Sequence, residues 1–154
     1  MKYIDTSAFA KCYSVEESEK GAVKVKLEIE MAKAGQETLF SSILLIGEMV
    51  SAFDKWYRKH LITPEEHDEL LSFFVEDITE LTNNGGLILE PISPLIFISS
   101  VKFITKYHIS IGDAIHLYTA LMYLPRNEEF ICSDKNLNTA AREEGFMIND
   151  PEEK

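Results

Sequence analysis

Residues 1–8 read Met1-Lys2-Tyr3-Ile4-Asp5-Thr6-Ser7-Ala8, and residues 130–137 read Phe130-Ile131-Cys132-Ser133-Asp134-Lys135-Asn136-Leu137. Each is a short apolar run that stops at an acid with hydroxyl-bearing residues beside it. That is the pattern of a buried strand feeding a helix. Thr38-Leu39-Phe40, Leu87-Ile88-Leu89 and Phe146-Met147-Ile148 supply three further short strands. Thr6 and Ser7 offer capping hydroxyls after the first strand.

The stretches between these strands carry helix signals. Ser14-Val15-Glu16-Glu17 has capping-box spacing and predicts a helix running to Ala34, with Gly35 as its stop. Ser42 is placed to cap a long helix through about Lys59. Thr63-Pro64-Glu65-Glu66 is another start, with Leu70, Leu71, Phe74, Ile78 and Leu81 following at helical spacing. Ser93-Pro94 predicts a helix reaching about Lys106, and Ser110-Ile111-Gly112-Asp113 one reaching about Tyr123. The last helix spans residues 136–144, before Gly145. Short apolar strands alternating with helices predict a three-layer α/β/α sandwich, built on a short parallel sheet of about five strands. No repeat or Pro/Gly-rich linker interrupts the chain, so residues 1–154 are expected to form a single domain.

In such sheets ligands bind beyond the carboxyl ends of the strands, near a topological switch point. Asp5 and Asp134 fall at two predicted strand ends. Asp113 begins a mostly apolar helix. Glu48 interrupts Ile43-Leu44-Leu45-Ile46-Gly47-Glu48-Met49-Val50, where a lone buried carboxylate would be disfavoured unless paired or metal-bound. Singly, Asp5 and Asp113 could be helix N-caps, Asp134 could shape a turn, and Glu48 could pair with a cation. Together they match what phosphodiester hydrolysis uses: oxygen ligands for Mg²⁺ or Mn²⁺, which neutralise phosphoryl charge and activate water.

Composition narrows the classes. With 15 Lys+Arg against 26 Asp+Glu the formal net charge is −11. This counts against a simple nucleic-acid-binding module, whose affinity comes from cations meeting phosphates. It counts less against a nuclease whose acids hold metal, and it suits docking of a basic partner. No run approaches the roughly 20 apolar residues of a membrane span. The first residues lack a secretory h-region, and the two cysteines, Cys12 and Cys132, make no disulfide framework. A cytoplasmic location is the expectation.

At these residues the sequence resembles the PIN-domain family, and within it the VapC-type toxins of toxin–antitoxin pairs. The matching pieces are Tyr3-Ile4-Asp5-Thr6-Ser7-Ala8, Ser41-Ser42-Ile43-Leu44-Leu45-Ile46-Gly47-Glu48-Met49, Gly112-Asp113-Ala114-Ile115-His116-Leu117 and Cys132-Ser133-Asp134-Lys135-Asn136-Leu137. The closing Ala141-Arg142-Glu143-Glu144-Gly145-Phe146 and Asn149-Asp150-Pro151 also resemble the family's C-terminal helix and strand. The resemblance implies Asp5, Glu48, Asp113 and Asp134 as catalytic metal-site acids, with Ser7 and Ser133 supporting them or a phosphate. It implies Mg²⁺- or Mn²⁺-dependent endonucleolytic cleavage of RNA, a homodimer, and an antitoxin whose tail presents a basic side chain to the acidic pocket. Lys11, Lys55, Arg58, Lys59 and Lys135 are candidate RNA contacts; Trp56 and Tyr57, lying among three of them, could stack bases. For those three, cations favoured by a helix C-terminus are the alternative.

His116, three residues after Asp113, is read as a packing residue or a support for the metal site, because hard cations prefer oxygen. His60, His67 and His108 read as solvated. Phe97, Val101 and Ile104 read as core or subunit interface. Two other readings stay open. One is a PIN domain that processes RNA outside a toxin pair, or serves as a non-catalytic interaction module. The other is a phosphoaspartyl enzyme, which leaves Glu48 unexplained.

Overall fold

The computed structural model describes residues 1–14 and 19–153. Five strands form one sheet: β1 (Lys2–Ile4), β2 (Leu39–Ser42), β3 (Leu87–Glu90), β4 (Glu129–Ile131) and β5 (Met147–Asn149). Their spatial order is β3-β2-β1-β4-β5 and every pairing is parallel. The chain moves outward from β1 to β2 to β3, then returns to lay β4 against the other side of β1. The direction of winding therefore reverses between β1 and β4, which defines the switch point.

Side-chain alternation along each strand splits the core in two. Ile4, Leu39 and Ile131 face one way, into a layer with Phe9, Val25, Ile29, Leu45, Met49, Phe53, Phe74 and Leu81. Tyr3, Phe40 and Phe130 face the other way, packing with Phe103, Ala114, Leu117, Leu137 and Phe146. Tyr3 stacks on Phe130 across the paired strands, with ring centroids 5.0 Å apart. With both faces covered, the strands read as continuous apolar runs, as parallel strands do.

The first layer is built from α1 (Thr6–Phe9), α2 (Ala22–Lys33), α3 (Leu44–Arg58) and α4 (Pro64–Asn83). Asp5 itself caps α1, accepting from the Ala8 N–H, where Thr6 or Ser7 was expected to do so. Residues 15–18 of the expected capping box lie outside the described residues. Residues 19–21 are not helical, and α2 starts at Ala22. Ser42 ends β2 yet still accepts from the Leu44 N–H at the start of α3. The start of α4 is the expected capping box: Thr63 accepts from the Glu66 N–H, and the Glu66 carboxylate accepts from the Thr63 N–H.

The second layer holds α5 (Pro94–Ser100), α6 (Lys102–Tyr107), α7 (Ile111–Tyr123) and α8 (Lys135–Glu143). The single helix expected over residues 93–106 is in fact two, joined at Val101. The buried Ser100 hydroxyl donates back to the Phe97 carbonyl at 2.7 Å, a local bond that competes with the helical ladder. Ser110, not Asp113, caps α7, which frees the Asp113 carboxylate from capping. No helix among the described residues is long and apolar enough to cross a membrane.

Candidate functional site

Asp5 leaves the end of β1, and its N–H donates to the carbonyl of Ile131 at the end of β4. Asp134 follows β4 and caps α8, accepting from the Leu137 N–H at 2.9 Å. These two acids therefore flank the switch point. Glu48 comes from the second turn of α3, and Asp113 from the first turn of α7. All four line one cleft of about 290 Å³, together with Thr6, Ser7, Ser51, Ala52, Lys55 and His116. The pairing of β1 with β4 closes the 129 residues between Asp5 and Asp134, and helices α3 and α7 bring in Glu48 and Asp113.

Each acid is held differently. Asp5 is 2% exposed. Its Oδ1 accepts from the Ser7 hydroxyl at 2.9 Å and from the Ala8 N–H at 3.1 Å. Burial pushes its pKa up, against the pull of those bonds. Ser7 Oγ in turn accepts from the Ser133 N–H at 3.0 Å, which clips the ends of β1 and β4 together through a side chain. The Ser133 hydroxyl is buried, with no hydrogen-bond partner among the described residues.

Glu48 Oε1 accepts from the Thr6 hydroxyl at 2.8 Å and lies 2.6 Å from His116 Nε2. Burial would raise the Glu48 pKa, but the hydrogen bonds with His116 and Thr6 more than offset it, leaving it below the usual value. Asp113 goes the other way. Burial, then the charges of Asp134 and Asp5, push it up to about 6.

Like charges crowded this closely destabilise one another, and a divalent cation would remove the repulsion. The donor chemistry, all carboxylate oxygen, fits a hard cation. Among the described residues no three His, Cys, Asp or Glu side chains stand ready as a ligand cluster. Glu48 is committed through Oε1 to Thr6 and His116.

Of the expected RNA contacts, Lys55 lines the cleft and Lys135 is exposed at the start of α8. Arg58 is paired with Asp54 at 2.7 Å, and Lys59 closes α3. Lys11 departs from expectation. It is 6% exposed, and its ammonium donates to Glu152 at 2.7 Å and to Glu19 at 3.2 Å, so it is a structural ion pair rather than a free phosphate contact. His67 is partly covered, its ring 5.4 Å from that of Tyr57, whereas His60 is exposed. Phe97 and Val101 are exposed, and Ile104 packs against the core.

Sequence reasoning missed Thr6 and Tyr3 as parts of the site. Thr6 was read only as a capping hydroxyl and Tyr3 only as a strand residue. Nothing local in the sequence shows that either meets a residue from α3 or α7.

The architecture and cleft define an α/β parallel-sheet protein with acids gathered at its switch point. A family model for the PIN domain matches residues 2–143, so the chain belongs to the PIN domain family. PIN domains are generally nucleases. No curated protein is found to match the chain.

Proposed function

We propose that the chain is a metal-dependent endoribonuclease that hydrolyses RNA phosphodiester bonds, acting as a single domain and as the VapC-like toxin of a type II toxin–antitoxin pair. The observation that carries this reading is the gathering of Asp5, Glu48, Asp113 and Asp134 in one cleft at the sheet's switch point. These four would hold Mg²⁺ or Mn²⁺. The cation would supply an acidified water and charge neutralisation on the phosphoryl oxygens.

The chain's own groups divide the remaining work. Ser7 and the Ala8 N–H hold the Asp5 carboxylate through Oδ1, which fixes its orientation in the cleft. The Asp134 cap uses one oxygen in the same way. Lys55, on the wall of the cleft, supplies positive charge for an RNA phosphate. Ser133, whose buried hydroxyl has no hydrogen-bond partner among the described residues, supports the site through its N–H, which donates to Ser7 Oγ.

An antitoxin with a basic tail suits the acidic cleft and the net charge of −11. A homodimer is supported by Leu95, Phe97 and Ile98 of α5, which are 60%, 49% and 68% exposed. Two free cysteines suit a cytoplasmic home.

The deciding experiment is cleavage of a mixed RNA pool by the purified chain, stripped of any co-purifying protein, with Mg²⁺ or Mn²⁺. Cutting is expected with wild type and is expected to vanish with chelator or with Asp5→Asn. Wild-type protein that is inert with both metals would leave the chain a non-catalytic interaction module. Growth arrest on expression, absent for Asp5→Asn, would separate a toxin from an RNA-processing nuclease.

A further inference from the structure

A chain of hydrogen bonds runs from the interior of the sheet to the cleft. The Ser42 N–H, at the end of β2, donates to Tyr3 Oη at 3.1 Å. Tyr3 Oη lies 2.8 Å from His116 Nδ1, and His116 Nε2 lies 2.6 Å from Glu48 Oε1. Tyr3 is fully buried and His116 is 1% exposed, so no bulk water competes for these groups. Their four members come from β1, β2, α3 and α7.

The donors can be assigned from this geometry. A backbone N–H can only donate, so Tyr3 Oη accepts from Ser42. The phenol proton then needs an acceptor, and His116 Nδ1 stands at hydrogen-bond distance. In the neutral ring Nδ1 therefore accepts, and the ring proton resides on Nε2. That proton points to Glu48 Oε1, which also receives the Thr6 hydroxyl. With Oε1 holding two donors, Oε2 is the oxygen left for other partners. It lies against Gly112, where a Cβ would come within 3.1 Å of it.

We propose that Tyr3 and His116 are positioning residues: a buried Ser42–Tyr3–His116 relay sets the Nε2–H tautomer of His116 and thereby fixes the Glu48 carboxylate with one oxygen free for the metal. The metal part of this rests on the function proposed above. The hydrogen-bond part does not. Groups that orient a ligand without touching the ion commonly change metal affinity by about 10–100-fold when removed.

Two measurements on the full chain test it. The first is ¹⁵N NMR of the histidine rings in metal-free protein, with the His116 signal identified by its loss in His116→Gln. The expected result is the Nε2–H tautomer, with that preference weakened in Tyr3→Phe; an Nδ1–H ring in wild type overturns the relay.

The second is Mn²⁺ affinity by EPR titration. A glutamine amide can still donate to Glu48, whereas leucine cannot. His116→Gln is therefore expected to stay near wild type and His116→Leu to bind about tenfold more weakly. Equal affinity of the two overturns the positioning role, because a purely structural role would not distinguish them. Should His116→Leu fail to fold, Tyr3→Phe, which deletes one oxygen, is expected to show the same weakening, and wild-type affinity there overturns the role. If wild type itself binds no Mn²⁺, the proposed function falls, and the tautomer alone decides the relay.

Discussion

Asp113 sits in the first turn of α7, with Asp5 and Asp134 near enough that their charges help push its pKa up to about 6. Its ordinary value is 3.8. Between those values the folded protein holds a proton that the unfolded chain has lost. Stability therefore falls as pH rises through that window and stays lower above it. In metal-free protein Asp113→Asn removes the repulsion. It is expected to be more stable than wild type at neutral pH by about 1 kcal/mol, the shift being discounted for partial solvent screening. The advantage should disappear below the ordinary aspartate value. Denaturation midpoints against pH, in chelator, check both the sign and the window.

The neighbouring Gly112 makes a second residue-scale case. Alanine favours a helix over glycine by up to about 1 kcal/mol. Its Cβ, however, would lie 3.1 Å from Glu48 Oε2 and 3.6 Å from Leu44 Cδ2. Gly112→Ala is thus expected to leave the melting temperature unchanged or raised while Mn²⁺ affinity falls about tenfold. Unchanged affinity would show that the Glu48 position is not critical. Glu48 itself was legible in the sequence, as a charge intruding on an apolar helix. Its partners were not, because Thr6 and His116 lie 42 and 68 residues away.

At the scale of elements, two of the acids serve the fold as well as the cleft. Asp134 caps α8 and Asp5 caps α1. Capping was one expectation for Asp5; for Asp134 the expectation was a turn, and the structure makes it a cap instead. Asparagine caps a helix about as well as aspartate, whereas alanine loses about 1 kcal/mol. Asp134→Asn is therefore expected to melt close to wild type and yet lose cleavage, while Asp134→Ala loses both. Parallel thermal melts and RNA assays separate the two roles. A control lies at the far cap: Thr63→Ala should cost about 1 kcal/mol with cleavage of the folded protein unaffected, since that capping box is solvent-exposed. Element boundaries were readable wherever a cap or stop is local. The break at Val101 escaped, because it depends on how Ser100 is used once buried.

Over the whole molecule, the net charge of −11 sets how RNA can be held. Lys11 is locked between Glu19 and Glu152, which takes it from the cations expected to meet phosphates, while Arg58 pairs with Asp54 at the exposed surface. Lys55 remains on the cleft wall. Binding should consequently show a shallow salt dependence. Lys55→Ala is expected to reduce the slope of log affinity against log salt by about 0.7, the value for one single-strand phosphate contact. Fluorescence anisotropy with a non-cleavable RNA, repeated over a salt series, measures it; an unchanged slope removes Lys55 from the RNA path.

The sequence by itself determined what acts over a few residues: five apolar strands, the helix starts near Thr63, Ser93 and Ser110, and the alternation of strand and helix that makes a covered parallel sheet. These signals are local because capping bonds and side-chain periodicity span only a turn or a few strand residues. It also exposed Glu48 as a charge out of place in an apolar helix, and Asp5, Asp113 and Asp134 as acids at strand ends and a helix start. Only the tertiary structure decided that β4 pairs with β1, which brings Asp134 to Asp5, and that α3 and α7 add Glu48 and Asp113 to the same cleft. It also decided that Lys11 is buried in an ion pair and that Tyr3 reaches His116. Those outcomes depend on contacts between segments distant in sequence, where strand order and the burial of both sheet faces, rather than local propensity, determine which side chains meet.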